Sequence, residues 1–237
     1  MAREPGWWLN VTPSLPLKEQ TVEVEGLELY YRPGGSGPPL VLLHGFTLTG
    51  RQWDPFLDEL GKHHTVIVQD LPGLGRSARP KGDFTHQEAA RLVFGILDAL
   101  GVERVRGIGH SSGAIMLIHM AIQQPDRMEA MVLVAGAHRL PHDVRQERRA
   151  GAFRWENLNP ESLECFRQLH PGGDRQIRWV MAQMDGFGDN YVDFDVSPEH
   201  LMTITTPSLL VWGDRDRNFP IEFGLEMYRT MPNAALW

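Results

Sequence analysis

Five short runs of this chain are apolar without alternation: LVLL from Leu40, VIV from Val66, VRGI from Val105, MVLV from Met131 and LLVW from Leu209. A strand with one wet face alternates, so runs of this kind belong to a parallel sheet covered by helices on both sides. Helix patterns fall between them at about 51–61, 85–100 and 112–124. The second is the clearest: Thr85 and Glu88 form a capping box, Leu92, Val93, Ile96, Leu97 and Leu100 share one face, and Gly101 stops it. Strand and helix in alternation predict a doubly wound, mostly parallel α/β sheet. At 237 residues the chain is long enough to bury such a sheet in one domain.

The flanks read differently. Residues 1–20 hold three prolines and the pair Trp7-Trp8 without periodicity, and predict an extended arm. TVEVEGLELYYR from Thr21 alternates around Gly26, which predicts an antiparallel hairpin at the first edge of the sheet. The core is then expected over 21–138 and again over 198–237. Between MVLV and LLVW the spacing opens far beyond that of the earlier strands, so residues 139–197 are expected as an insertion after the sixth strand. Helix-like stretches at 143–155, 160–169 and 174–184 are broken there by Pro171-Gly172-Gly173 and Gly186-Phe187-Gly188. Ser197-Pro198 reads as an N-cap followed by proline at the first helical turn, returning the chain to the core.

Gly109-His110-Ser111-Ser112-Gly113, a G-x-S-x-G, lies directly after the run VRGI and directly before the helix pattern. A strand turning sharply into a helix leaves no room for β-carbons beside the apex, which accounts for the glycines and exposes the Ser111 hydroxyl. The amides and dipole opening the helix favour negative charge next to it. These are the requirements of a nucleophile whose reaction passes through an oxyanion.

With this elbow, HGF at 44–46, DLPGLGRS at 70–77, GHSSG at 109–113 and WGDRDRNFP at 212–220, the chain resembles the α/β-hydrolase superfamily from about Thr21 to its last residue. The resemblance implies a helical cap at 139–197, Ser111 as nucleophile, and oxyanion donors in the backbone N–H groups of Phe46 and Ser112. It implies Asp216, three residues after Gly213 and four before Pro220, as the triad acid, with Asp214 the alternative. His44 and His110 beside the donors are read as fixing their loops. It implies a small ester-like substrate and neither cofactor nor metal. Relatives that split haloalkanes or epoxides carry aspartate at the elbow, so the serine leaves ester, thioester or C–C hydrolysis.

The base departs from the family pattern. All ten histidines precede Asp216, whereas the family's catalytic histidine follows one more strand, after which a last helix closes the fold. The resemblance therefore implies a C-terminally truncated chain with that strand and helix missing, in which LLVW is left as a bare apolar edge. His138, after the sixth strand, is the candidate substitute base. Three functions stay open: a serine hydrolase, an acyltransferase passing the acyl group to an acceptor other than water, and a binding protein that has lost its base.

Composition excludes other classes. A net charge of −7 disfavours a nucleic-acid partner, and Arg145, Arg148 and Arg149 read as a solvated helix face. One cysteine, Cys165, allows no internal disulfide, no run reaches membrane-spanning length and no signal peptide opens the chain; a cytoplasmic protein is expected. Gly73-Leu74-Gly75-Arg76-Ser77-Ala78 matches a loose dinucleotide fingerprint, but Pro72 and Pro80 bracket it and no helix pattern starts before Thr85. Phe153, Trp155, Phe166, Trp179, Met181, Met184, Phe187, Tyr191 and Phe194 in the insertion, and Trp53, are expected either to line an apolar pocket or to pack their own core.

Overall fold

The computed structural model describes residues 7–237; the first six residues of the arm and the Trp7 side chain lie outside the described residues. One sheet holds β1 (Gln20–Val24), β2 (Leu27–Gly35), β3 (Pro39–Leu43), β4 (Thr65–Gln69), β5 (Val105–His110), β6 (Met128–Val134), β7 (Ser208–Val211) and β8 (Ala234–Leu236). Their spatial order is β1-β2-β4-β3-β5-β6-β7-β8. β1 and β2 form the antiparallel hairpin, turning at Glu25 and Gly26, which both take positive φ as a tight hairpin turn requires. β2 also runs antiparallel to β4, and every later pairing is parallel.

The unbroken apolar runs are explained by two buried faces. Leu40, Leu42, Val66 and Val68 pack on one side with Trp53 and with Leu57 of α1 (Asp54–Leu60). Val41, Leu43 and Ile67 pack on the other, in the large core shared with α2 (His86–Ala99) and α3 (Ser112–Gln123). Each fully buried aliphatic side chain contributes on the order of 1.5–3 kcal/mol. The Thr85 hydroxyl caps α2, accepting from the Glu88 amide at 3.1 Å, and Gly101 ends it at φ +67°. The arm lies on the body: Leu17 bridges to Gly34, and Leu15 and Leu17 pack against the smaller core. It is not wholly extended, since Trp7–Asn10 forms a 3-10 turn.

Between β6 and β7 lie α4 (His142–Arg149), α5 (Pro160–Leu169), α6 (Gly173–Gly186) and α7 (Tyr191–Phe194), followed by α8 (Pro198–Met202) before β7 and α9 (Ile221–Thr230) after it. α4 stops well short of the expected Trp155, because Gly151 takes φ +79° just beyond it. Polar side chains fasten this insertion to the core. Gln183 accepts from the Phe84 amide at 2.8 Å, and Gln176 donates to the carbonyls of Gly73 and Gly75. Asp193 receives the amides of His86 and Gln87 at the start of α2, and His86 Nδ1 at 2.5 Å. Burial works to raise the Asp193 carboxyl, but the His86 ring and these hydrogen bonds outweigh it and hold the carboxyl down at about 2.

Two expectations need correcting. The strand expected to be missing is present: β8 pairs in parallel with β7, so LLVW is not an edge. The residues Ala234-Ala235-Leu236 suffice for three register pairs. The arginine face of α4 is not solvated either: Arg145 and Arg148 are buried and only Arg149 reaches outward. Their spacing of three places both on the stripe of α4 that carries Val144 against α6. The segment 73–78 forms a turn, and no helix begins before His86, so it lacks the helix N-terminus a dinucleotide site needs. Among the described residues no helix is long and apolar enough to cross a membrane.

Candidate active site

Ser111 sits where β5 turns into α3, at φ 51° and ψ −116°. That backbone is strained by roughly 1–3 kcal/mol and persists only because its surroundings over-determine it. A β-carbon on Gly109 would stand 2.4 Å from the Gly113 backbone, and one on Gly113 would stand 2.1 Å from the Leu43 carbonyl oxygen. Gly113→Ala is therefore expected to lower the melting midpoint by about 5–10 °C, while Gly186→Ala, with no neighbour in reach, shifts it by less than about 2 °C. Thermal unfolding followed by circular dichroism checks this; equal midpoints would remove the steric account of the elbow.

The second loop is built around His44. Its Nε2 accepts from the Leu71 amide at 2.9 Å, so the proton resides on Nδ1, which donates to the Gly45 carbonyl at 2.8 Å. Complete burial pushes this imidazole down to about 3 and keeps it neutral. Gln52 accepts from the Gly45 amide at 3.0 Å. The chain that follows presents Phe46, and neither its amide nor that of Ser112 has a protein acceptor among the described residues. His170 anchors the same region from the insertion: Nδ1 accepts from the Gly75 amide and Nε2 donates to the Thr47 carbonyl.

Asp216 comes from the loop after β7. Its Oδ1 accepts from the amides of Asn218 and Phe219 at 2.8 and 3.0 Å, which leaves Oδ2 free. The loop is pinned by Trp212 Nε1, which donates to the Phe219 carbonyl. Ser111, Ser112, Phe46 and Asp216 all line one cavity of about 240 Å³, together with His110 and Ile115. Asp214 is exposed and outside that lining. From the insertion, Phe153, Met184, Phe187, Phe194 and Arg148 complete the wall. The other expected pocket aromatics lie elsewhere: Trp179 is buried against Gly73, Trp53 belongs to the smaller core, and Tyr191 is half exposed.

No histidine comes within 4 Å of an Asp216 carboxylate oxygen among the described residues. His138 is buried 3.5 Å from Glu226, its ring tilted toward that of Phe223 and outside the cavity lining, so the structure does not bring it to Ser111 as a substitute base. His110 is the histidine of the lining. Burial lowers its proton affinity and the Asp216 charge works against that. Arg148 is the lining residue that sequence reasoning misplaced; no periodicity separates a buried arginine from a solvated one in a stretch as polar as HDVRQERR.

A sequence model described as alpha/beta hydrolase fold matches residues 38–170, more than half of the chain. The chain belongs to the alpha/beta hydrolase fold family. It is similar to the uncharacterized hydrolase YugF of Bacillus subtilis, at 27% identity over 94% of this chain and 89% of that one. It is also similar to (E)-2-((N-methylformamido)methylene)succinate hydrolase of Acinetobacter baylyi, at 27% identity over 84% and 80%. Among solved structures, a hydrolase from Pseudomonas aeruginosa superposes with a TM-score of 0.77 at 26% identity, covering 93% of this chain and 89% of that one. As an alpha/beta hydrolase the protein is an enzyme of the hydrolase class, and its relatives are hydrolases and esterases.

Proposed function

We propose that this alpha/beta hydrolase is a cofactor-free serine hydrolase of a small carboxylic ester or related acyl substrate. One observation carries the reading: a strained serine, two amides without acceptors and a carboxylate with a free oxygen converge on a single cavity. Ser111 Oγ attacks the substrate carbonyl carbon and gives its proton to an imidazole oriented by Asp216 Oδ2. The Phe46 and Ser112 amides hold the oxyanion, each worth about 3 kcal/mol in the transition state. The imidazole then protonates the departing alkoxide, and water releases the acyl group by the same steps in reverse. The segment 139–197 acts as a cap, supplying the apolar wall and excluding water.

No histidine lies within 4 Å of an Asp216 carboxylate oxygen among the described residues, so the imidazole is assigned by experiment. A second reading rests on His110, which already lines the cavity beside Ser111. A fluorophosphonate probe tests the proposal and separates the two. Ser111 is expected to be the one labelled residue in a chain extended beyond β8 by a histidine and a helix, and Ser111→Ala to abolish labelling. Labelling that survives Ser111→Ala sinks the nucleophile. Labelling of residues 1–237 that is lost on His110→Gln moves the base to His110. No labelling in either form would favour a binding protein.

A further inference from the structure

Arg148 and Arg145 sit one turn apart on α4, both buried, and differ in one respect. Arg145 is saturated: Nη2 meets Asp195 at 2.7 Å, Nη1 reaches the carbonyls of Phe187, Gly188 and Asn190, and the guanidinium stacks on Tyr191. Arg148 is 7% exposed, and no carboxylate lies within 4 Å of it among the described residues. Its Nη1 donates to the Met184 carbonyl at 2.9 Å and approaches the Met184 sulfur. Its Nε is fully enclosed without an acceptor, and Nη2 makes no hydrogen bond to protein. A buried cation left unpaired is costly, and the cost is retained where something outside the chain compensates it. Burial depresses this guanidinium to about 10, and the charges of Asp185 and Glu147, neither in contact with it, offset that only in part.

The unused Nη2 is the informative part. Nε is sealed inside the wall, whereas Nη2 is not enclosed and can donate a charge-assisted hydrogen bond to a carboxylate in the cavity. Arg148 lines the same cavity as Ser111, and the walls around it are Phe153, Met184 and Phe187. We propose that Arg148 is the specificity residue of that cavity and that the substrate carries a carboxylate at the end of its acyl chain, as in a half-ester of a dicarboxylic acid. A cavity of about 240 Å³ suits a short chain of this kind, with the anion at Arg148 and the reacting carbonyl at Ser111. A doubly charged phosphate fits less well, since one cation faces it and Asp216 shares the lining. This inference rests on the serine hydrolase reading, whose own test is the labelling of Ser111.

Binding is measured by calorimetry with two probes that differ in one group, monomethyl glutarate and the isosteric monomethyl glutaramate, on the Ser111→Ala chain so that neither is consumed. The carboxylate is expected to bind at least about tenfold tighter than the amide. Adding Arg148→Gln should bring the ratio to about one, and Arg148→Lys should restore part of the preference by returning the charge. Circular dichroism confirms that each variant is folded. Equal affinity of the two probes overturns the proposal. So does a preference unchanged by Arg148→Gln, or a loss equal for both probes, which a merely structural arginine would produce. An unlabelled Ser111 alongside an intact carboxylate preference would sink the nucleophile and leave this site standing.

Discussion

Asp216→Asn is expected to lower ester turnover by about 10⁴-fold, while Asp214→Asn leaves it within about twofold. Asp216 and Asp214 differ by two positions in one loop and share their chemistry, so the contrast isolates geometry. Asp216 lines the Ser111 cavity with Oδ1 held by two amides and Oδ2 free, whereas Asp214 faces water. An asparagine at 216 keeps the shape of the side chain and accepts from the same amides, but presents a neutral amide where the imidazole needs a carboxylate. The imidazole then loses the partner that fixes its tautomer and stabilises its charged form. The measurement is p-nitrophenyl butyrate hydrolysis by the extended, histidine-bearing form, with melting midpoints as control. The reverse order would transfer the role to Asp214, and two small effects would remove both from the mechanism.

Acidification is expected to destabilise the protein progressively as pH falls below about 6.5. Five buried histidines, 44, 110, 119, 138 and 170, are held neutral chiefly by burial, His44 down to about 3. Each binds its proton in the unfolded chain near the ordinary value of about 6.5 but resists it in the fold. The unfolded state therefore takes up more protons below about pH 6.5, and stability falls as pH falls, at about 1.4 kcal/mol per pH unit per histidine. His44 alone accounts for roughly 5 kcal/mol by pH 3. Asp193, held at about 2, adds to the loss at the acid end. Asp54 and Asp70, raised by burial, oppose it, but they are two against five. The net uptake draws on a total stability of only about 5–15 kcal/mol. Urea titrations from pH 7 to 4 give the slope directly. An uptake of one proton or fewer would show that these histidines are already charged in the fold.

The sequence by itself determined the sheet, its parallel sense, the hairpin at its edge, the capped α2 and the elbow at Ser111. Those features depend on local rules: strand period, cap chemistry and the glycines a tight strand-to-helix turn demands. That Ser111, Phe46, Ser112 and Asp216 line one cavity was legible because each is tied to a short string with a fixed place in that topology. Tertiary structure decided what depends on partners distant in the chain. Whether Arg148 is solvated or sealed turns on α6, some 30 residues on, and whether His138 reaches Ser111 turns on α9 and the Glu226 it carries. The last strand was misjudged for a related reason, since three residues are too few to show a period and become a strand only by hydrogen bonding to β7. Periodicity reports which face of an element is buried; it carries no information on whether a buried charge finds its counter-ion, and that difference separates the saturated Arg145 from the open Arg148.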